Sequence, residues 1–316
     1  MPASKSFKEI LKSSEKALLV GIGGGGDIVG TIPTADLLSM FDIKCVYGGL
    51  SWERFTFDPM PGPRKFEETK NVRKLNDVVW YANKDSITIT GARFAESGFS
   101  EVIGEETLLV GIHSGPQAIS EGILDAANKL DADLVIGVDV GGDVIAQGHE
   151  PGLMSPLADS MMTAAFARLE KEIPSIIGLF GYGSDGELTH EELEASVKIK
   201  LRKGAVIGSW GITHDALKEL EKVIAVVPTE ASRLPVLYSK GKCEETTIRK
   251  GTRNVSLSMA STVTFYFSPG VLYENSKLAK AVSNCRGLEE ANDALHSLDI
   301  HTELDLEREM LQEKDS

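Results

Sequence analysis

LLVGIGGGGDIVGTIP, Leu18 to Pro33, runs an apolar strand straight into four consecutive glycines and an aspartate. The run does not alternate with polar residues, which is the pattern of a strand buried on both faces of a parallel sheet. The glycines that follow clear side chains from a backbone that something must approach closely. Working outward, similar short apolar runs are expected as strands at 17–22, 43–48, 86–90, 107–112, 133–140, 175–183, 222–228 and 261–267. Between them, 116–130 and 156–172 repeat their apolar residues at roughly helical spacing. Ser114 and Ser155 each precede a proline suited to a first helical turn, and Thr189 to Glu192 has capping-box form. Strand and helix alternate, so the expected fold is α/β: a doubly wound, mostly parallel sheet with helices on both faces, Rossmann-like.

Two long stretches interrupt the alternation, 50–77 with three prolines and 228–254 with a crowd of basic residues. They are read as loop insertions, lids or oligomer arms, within a single α/β domain spanning 1–298. Residues 299–316 carry seven acids against Arg308 and Lys314 and are expected to form an acidic C-terminal tail, a solvated helix or a frayed end.

Forty-seven acidic against thirty-three basic residues give a formal charge of −14. That field repels phosphate backbones and anionic lipid, which argues against a nucleic-acid or membrane partner. A small anionic metabolite must then be met by a local positive site. The three cysteines, Cys45, Cys243 and Cys285, show no paired spacing, so neither a disulfide framework nor a cysteine zinc site is expected, and a cytoplasmic setting fits. No apolar run is long enough to span a membrane.

In an open parallel sheet, ligands sit beyond the carboxyl ends of the strands. Here those ends carry unusual loops. Gly21, Gly23 and Gly26 match G-x-G-x-x-G, and Gly23, Gly24, Gly25 and Gly26 are candidates to hold an anion through their amides, or else to form a tight turn for close packing. A dinucleotide reading is opposed by the second strand, which closes without an acid, and by Pro33, which would break a helix begun at Gly26. Asp27 beside the loop is either a helix cap or a ligand group. Between Asp139 and Asp159 the chain packs Asp139, Asp143, His149, Glu150 and Asp159 among glycines. Asp139 ends a strand and Asp143 follows the Gly141–Gly142 pair, so both carboxylates are candidates to share a divalent cation, Mg²⁺ or Mn²⁺. His113, Asp143 and His149 are the candidate acid–base residues. Ser114, Gly141, Gly142, Arg249 and Arg253 are candidate ligand contacts, Arg249 and Arg253 belonging to the basic stretch that includes Arg233, Lys240, Lys242 and Lys250. Arg54, Arg64 and Lys65 supply positive charge in the first long loop. No P-loop and no G-x-S-x-G elbow is present.

GIGGGGDIVGT, Gly21 to Thr31, together with DVGGDVIAQGHEPGLMSPLAD, Asp139 to Asp159, resembles a conserved archaeal and bacterial family, domain of unknown function 1152. The resemblance covers most of the chain and implies no activity, cofactor or catalytic residue. From the residues themselves, the expectation is a cytoplasmic enzyme that binds a small phosphorylated or carboxylated metabolite, nucleotides included, with a divalent cation. Phosphoryl transfer or metal-assisted hydrolysis is the favoured chemistry. A nicotinamide-dependent oxidoreductase and a non-catalytic metabolite sensor or assembly subunit, either of them able to form a homo-oligomer, remain the alternatives.

Overall fold

A computed structural model describes residues 6–242, 245–251 and 253–315, the side chains of Lys250 and Asp315 excepted. Cys243 lies outside the described residues; Cys45 and Cys285 are free thiols. The strands in chain order are β1 (Lys16–Gly21), β2 (Lys44–Leu50), β3 (Thr69–Lys70), β4 (Arg73–Lys74), β5 (Val79–Ala82), β6 (Ile87–Thr88), β7 (Thr107–Val110), β8 (Leu134–Val140), β9 (Ser175–Phe180), β10 (Val206–Gly211), β11 (Glu245–Ile248), β12 (Arg253–Ser256) and β13 (Val263–Phe267). Nine of them form one sheet in the order β10-β13-β9-β8-β1-β2-β7-β5-β4.

The middle of this sheet is parallel: β1 pairs with β2 and β8, β2 with β7, and β8 with β9. Its unalternating apolar strands are covered on both sides. Leu18, Val20 and Ile22 point into a core shared with the helices Gly115–Lys129 and Pro156–Leu169. Ala17 and Leu19 point the other way, toward the helices Ile32–Ser39, Ala95–Ile103 and His214–Ile224. This is the doubly wound α/β arrangement. The chain builds outward from β1 through β2 to β7, then returns to place β8 on the other side of β1. The change of direction falls between β1 and β8, whose carboxyl ends are where parallel sheets of this order have their ligand crevice.

The edges depart from the pattern. β13 and β10 add antiparallel beside β9, and β5 and β4 add antiparallel beside β7. β10, VIGSWG, is half-exposed at the edge and so lacks the apolar run that marks the central strands. Residues 222–228, read as a strand, instead end the helix His214–Ile224. Val223 lies on one helical face with Ala216 and Leu220, and Thr213 caps the first turn through Ala216 N, so the longer periodicity overrides the local β-branched residues. Residues 86–90 contribute only the two-residue β6, paired with β3.

Both long insertions are structured. In the first, Arg64 Nε meets Asp58 Oδ2 at 2.9 Å with both side chains buried. The second contains the helix Arg233–Ser239 and the β11–β12 hairpin around Leu234, Ile248, Val255 and Leu257. The acidic C-terminal segment forms the helix Glu303–Asp315, yet one face of it is packed rather than solvated. Glu303 accepts from Leu157 N at 3.0 Å and Ala158 N at 2.8 Å, capping the helix Pro156–Leu169. Leu304 is buried, and Glu307 accepts from Trp52 Nε1 at 3.0 Å and Gly62 N at 2.7 Å. Net charge concealed this, because these acids are neutralised by amides and an indole rather than by bases.

Candidate functional site

The loop after β1 turns through left-handed backbone at Gly24, Gly25 and Gly26, with φ of +75°, +57° and +107°. A Cβ at Gly25 would lie 2.6 Å from Arg54 Cγ and Nε, so the absent side chain leaves room for that arginine. Gly25 N donates to Trp52 O at 2.9 Å, and Gly23 N to Asp27 Oδ2 at 2.9 Å. The amides of Gly24 and Gly26 have no acceptor among the described residues. A 3₁₀ turn, Asp27–Thr31, follows, and the α-helix begins only at Ile32 with Pro33 in its first turn. Close packing therefore uses part of the glycine loop and leaves the amides of Gly24 and Gly26 without an acceptor among the described residues.

Asp27 joins the two sides of the crevice, since its Oδ2 also accepts from Val140 N, at the end of β8, at 3.3 Å. Around it lie Asp139 and Asp143 from the β8 end, Asp159 from the first turn of Pro156–Leu169, and Asp185 and Glu187 from the loop after β9. All six side chains are buried. Ser155 Oγ ties two of them together, 2.9 Å from Asp143 Oδ2 and 2.5 Å from Glu187 Oε1. Gly141, at φ +129°, makes room for Asp185, whose Oδ2 would be 2.1 Å from a Cβ there.

Burial disfavours charge on these carboxyls, and their mutual repulsion adds to it. Asp27 is pushed up to about 7 by burial, partly offset by Arg54 and its amide donors. Asp185 rises to about 6 through burial and the charge of Glu187. Asp139, Asp143 and Asp159 are driven well above the ordinary carboxylate range by burial and then by one another and their neighbours. Asp143 Oδ1, Asp159 Oδ1 and Asp185 Oδ2 are buried and accept from no N–H or hydroxyl donor, although the Asp143 and Asp185 carboxyls lie close enough to share a proton. Among the described residues, no three His, Cys, Asp or Glu side chains are arranged to hold a metal ion by themselves.

Positive charge borders the acids. Arg253 Nη1 meets Glu187 Oε1 at 2.6 Å and donates to Asp185 O at 3.3 Å. Arg249 sits at φ +53°, 3.7 Å from Glu230, and is pushed down to about 9 by burial and then by the charges of Arg54 and Arg253. Arg54, half-buried, completes the group from the first insertion.

The other expected site residues lie apart. His113, at the end of β7, is pushed down by burial and by Lys65, and its surroundings are Pro63, Arg64 and Glu68. Ser114 lines a separate cavity of about 370 Å³ with Gln117, Asn284 and Arg286. His149 is 74% exposed, 3.9 Å from a Glu150 whose carboxylate binds the amides of Gln147, Gly148 and His149. Gly142 carries φ +153° and stands against Leu193. Asp185 and Glu187 were missing from the sequence-derived site; burial is what distinguishes them, and burial is tertiary. β2 extends to Leu50 and Glu53 lies three residues beyond it, so an acid does follow the second strand.

Residues 18–311 match the model of a family described as Protein of unknown function (DUF1152), and the chain belongs to that family. No curated protein and no solved structure matches.

Proposed function

We propose that the crevice between β1 and β8 binds a small phosphorylated or carboxylated metabolite together with a divalent cation, Mg²⁺ or Mn²⁺, and catalyses phosphoryl transfer or metal-assisted hydrolysis. The supporting observation is the set of buried oxygens on Asp143, Asp159 and Asp185 that accept no hydrogen bond, with Arg253 close enough to Asp143 and Asp185, and Arg54 to Asp27, to act on their charge. Buried polar atoms without partners are costly, and repelling carboxylates gain most from a cation between them. Asp139 and Asp143 are the residues that would hold it. Mg²⁺ is commonly bound by one or two carboxylates, with substrate phosphates and water completing the shell.

When bound, the cation neutralises charge on a transferring or hydrolysed group. The free amides of Gly24 and Gly26 and the guanidiniums of Arg54 and Arg253 would orient the anion. Ser155 holds Asp143 and Glu187 in fixed rotamers, and Glu187 in turn anchors Arg253. This reading does not draw on His113 or His149. No described helix is long and apolar enough to cross a membrane, and free Cys45 and Cys285 accord with a cytoplasmic enzyme. The test is thermal melting and calorimetric titration of the full chain with Mg²⁺ or Mn²⁺ and inorganic phosphate. A metal-dependent rise in Tm that Asp143→Asn abolishes is expected; no shift with either metal, with or without phosphate, overturns the reading.

A further inference from the structure

A second pair of carboxylates lies at the same edge of the sheet, under the end of β2, and the chemistry above does not use it. Glu53 is buried and accepts from Ala95 N at 2.6 Å through Oε1. Glu96, in the first turn of Ala95–Ile103, is 2% exposed and lies against Gly49, where a Cβ would fall 1.9 Å from its Oε1. Its Oε2 is buried and has no hydrogen-bond partner. Burial pushes Glu53 up to about 7, and pushes Glu96 well above the ordinary range with the charges of Glu53 and Asp27 adding to it. Capping a helix accounts for one oxygen of Glu53. It leaves Glu96 Oε2 buried and unpaired beside a second, repelling acid at this edge.

Their position supplies a use. β1 and β2 are adjacent parallel strands, roughly 5 Å apart, and the residues just past β2 line the glycine loop: Trp52 O accepts from Gly25 N, and Arg54 lies against Gly25. A ligand whose anion meets the glycine loop and whose next few atoms run toward the end of β2 would come to Glu53 and Glu96. Carboxyl oxygens accept well from hydroxyls, and a pair of carboxyls matches two neighbouring hydroxyls. In parallel sheets with this central strand order, an acid at the end of the second strand is where a ribose is held. Arg54, half-exposed and in no salt bridge among the described residues, lies between Gly25 and these acids and would turn its guanidinium onto the anion.

We propose that Glu53 and Glu96 form a subsite for the vicinal hydroxyls of a ribose, making the metabolite at the glycine loop a ribose phosphate or ribonucleotide. This rests on the reading of that loop as an anion site. Calorimetry on the full chain with Mg²⁺ compares inorganic phosphate, ribose 5-phosphate, ADP and the 2-deoxy counterparts of the last two. At least one ribose ligand is expected to bind about tenfold or more tighter than its deoxy form, as a site built around hydroxyls discriminates. Glu53→Gln and Glu96→Gln should each erase that preference while inorganic phosphate binds as in the wild type. Glu96→Gln, an amide in the same space that removes a repelling charge, is expected to melt no lower than the wild type. Phosphate binding without any ribose preference, or a preference that survives both substitutions whatever happens to Tm, overturns the subsite alone. Failure of phosphate and every sugar phosphate to bind overturns the anion site and the subsite with it.

Discussion

Arg253 Nη1 stands 2.6 Å from Oε1 of Glu187, with the two side chains 14% and 1% exposed. Burial raises the carboxyl, but Arg253, Ser155 and Met154 N outweigh it and hold Glu187 below its ordinary range, although the neighbouring aspartates are pushed far above theirs. Arg253→Met should therefore strand a buried charge and destabilise the fold by about 3 kcal/mol near neutral pH. A depressed carboxyl stabilises above its unfolded pKa of about 4.5 and loses that contribution as pH falls through the lower folded value. Urea unfolding of both proteins should accordingly show the difference narrowing in acid. A constant difference from acid to neutral pH would mean that Arg253 acts through packing.

For the aspartate cluster the sign reverses. Asp27 and Asp185 are raised from 3.8 to about 7 and about 6, so the folded state holds protons that the unfolded chain has released. The resulting stabilisation is full below about pH 4 and is lost as pH rises toward 7. Metal-free protein should lose Tm across that window, and Mg²⁺ or Mn²⁺ should restore it at the upper end. Asp143→Asn should flatten the slope and remove most of the metal effect. A metal-free Tm that climbs from pH 5 to about 7 would contradict the assignment.

Gly25 tests the glycine loop. At φ +57° an alanine costs about 1 kcal/mol in backbone conformation, and its Cβ must displace Arg54. Gly25→Ala should stay folded with a modestly lower Tm and bind phosphate at least about tenfold more weakly, since the loop and one arginine are both disturbed. Unchanged binding in a folded variant would assign the glycines to close packing.

Lys200 is fully buried, and its Nζ donates to Ile145 O at 2.9 Å and Ser196 Oγ at 2.7 Å. Burial pushes it down to about 8 from 10.5, so wild-type stability should rise between those pH values, by about 1.4 kcal/mol per pH unit at most. Lys200→Met should remove that rise. Because Ile145 ends the turn that begins at Asp143, it should also weaken the metal-dependent shift in Tm. A variant with both the alkaline slope and the metal response of the wild type would separate Lys200 from the site.

Much of the architecture was legible because it follows from local chemistry. Unbroken apolar runs such as residues 134–138 need cover on both faces, and the Thr189–Glu192 box caps its helix through contacts three residues apart. Glycine and aspartate at the strand ends likewise marked the edge where Asp27, Asp139 and Asp143 collect. Strand order, burial and side-chain convergence belong to the whole chain instead. Only the fold brings Asp185 and Glu187 beside Asp143, sends His149 to solvent, extends β2 toward Glu53, and packs Glu303 and Glu307 of an acidic segment against amides and Trp52. Residue type sets what a carboxylate can do. Whether it lies in water or among five others depends on desolvation by elements distant in sequence, which no local pattern encodes.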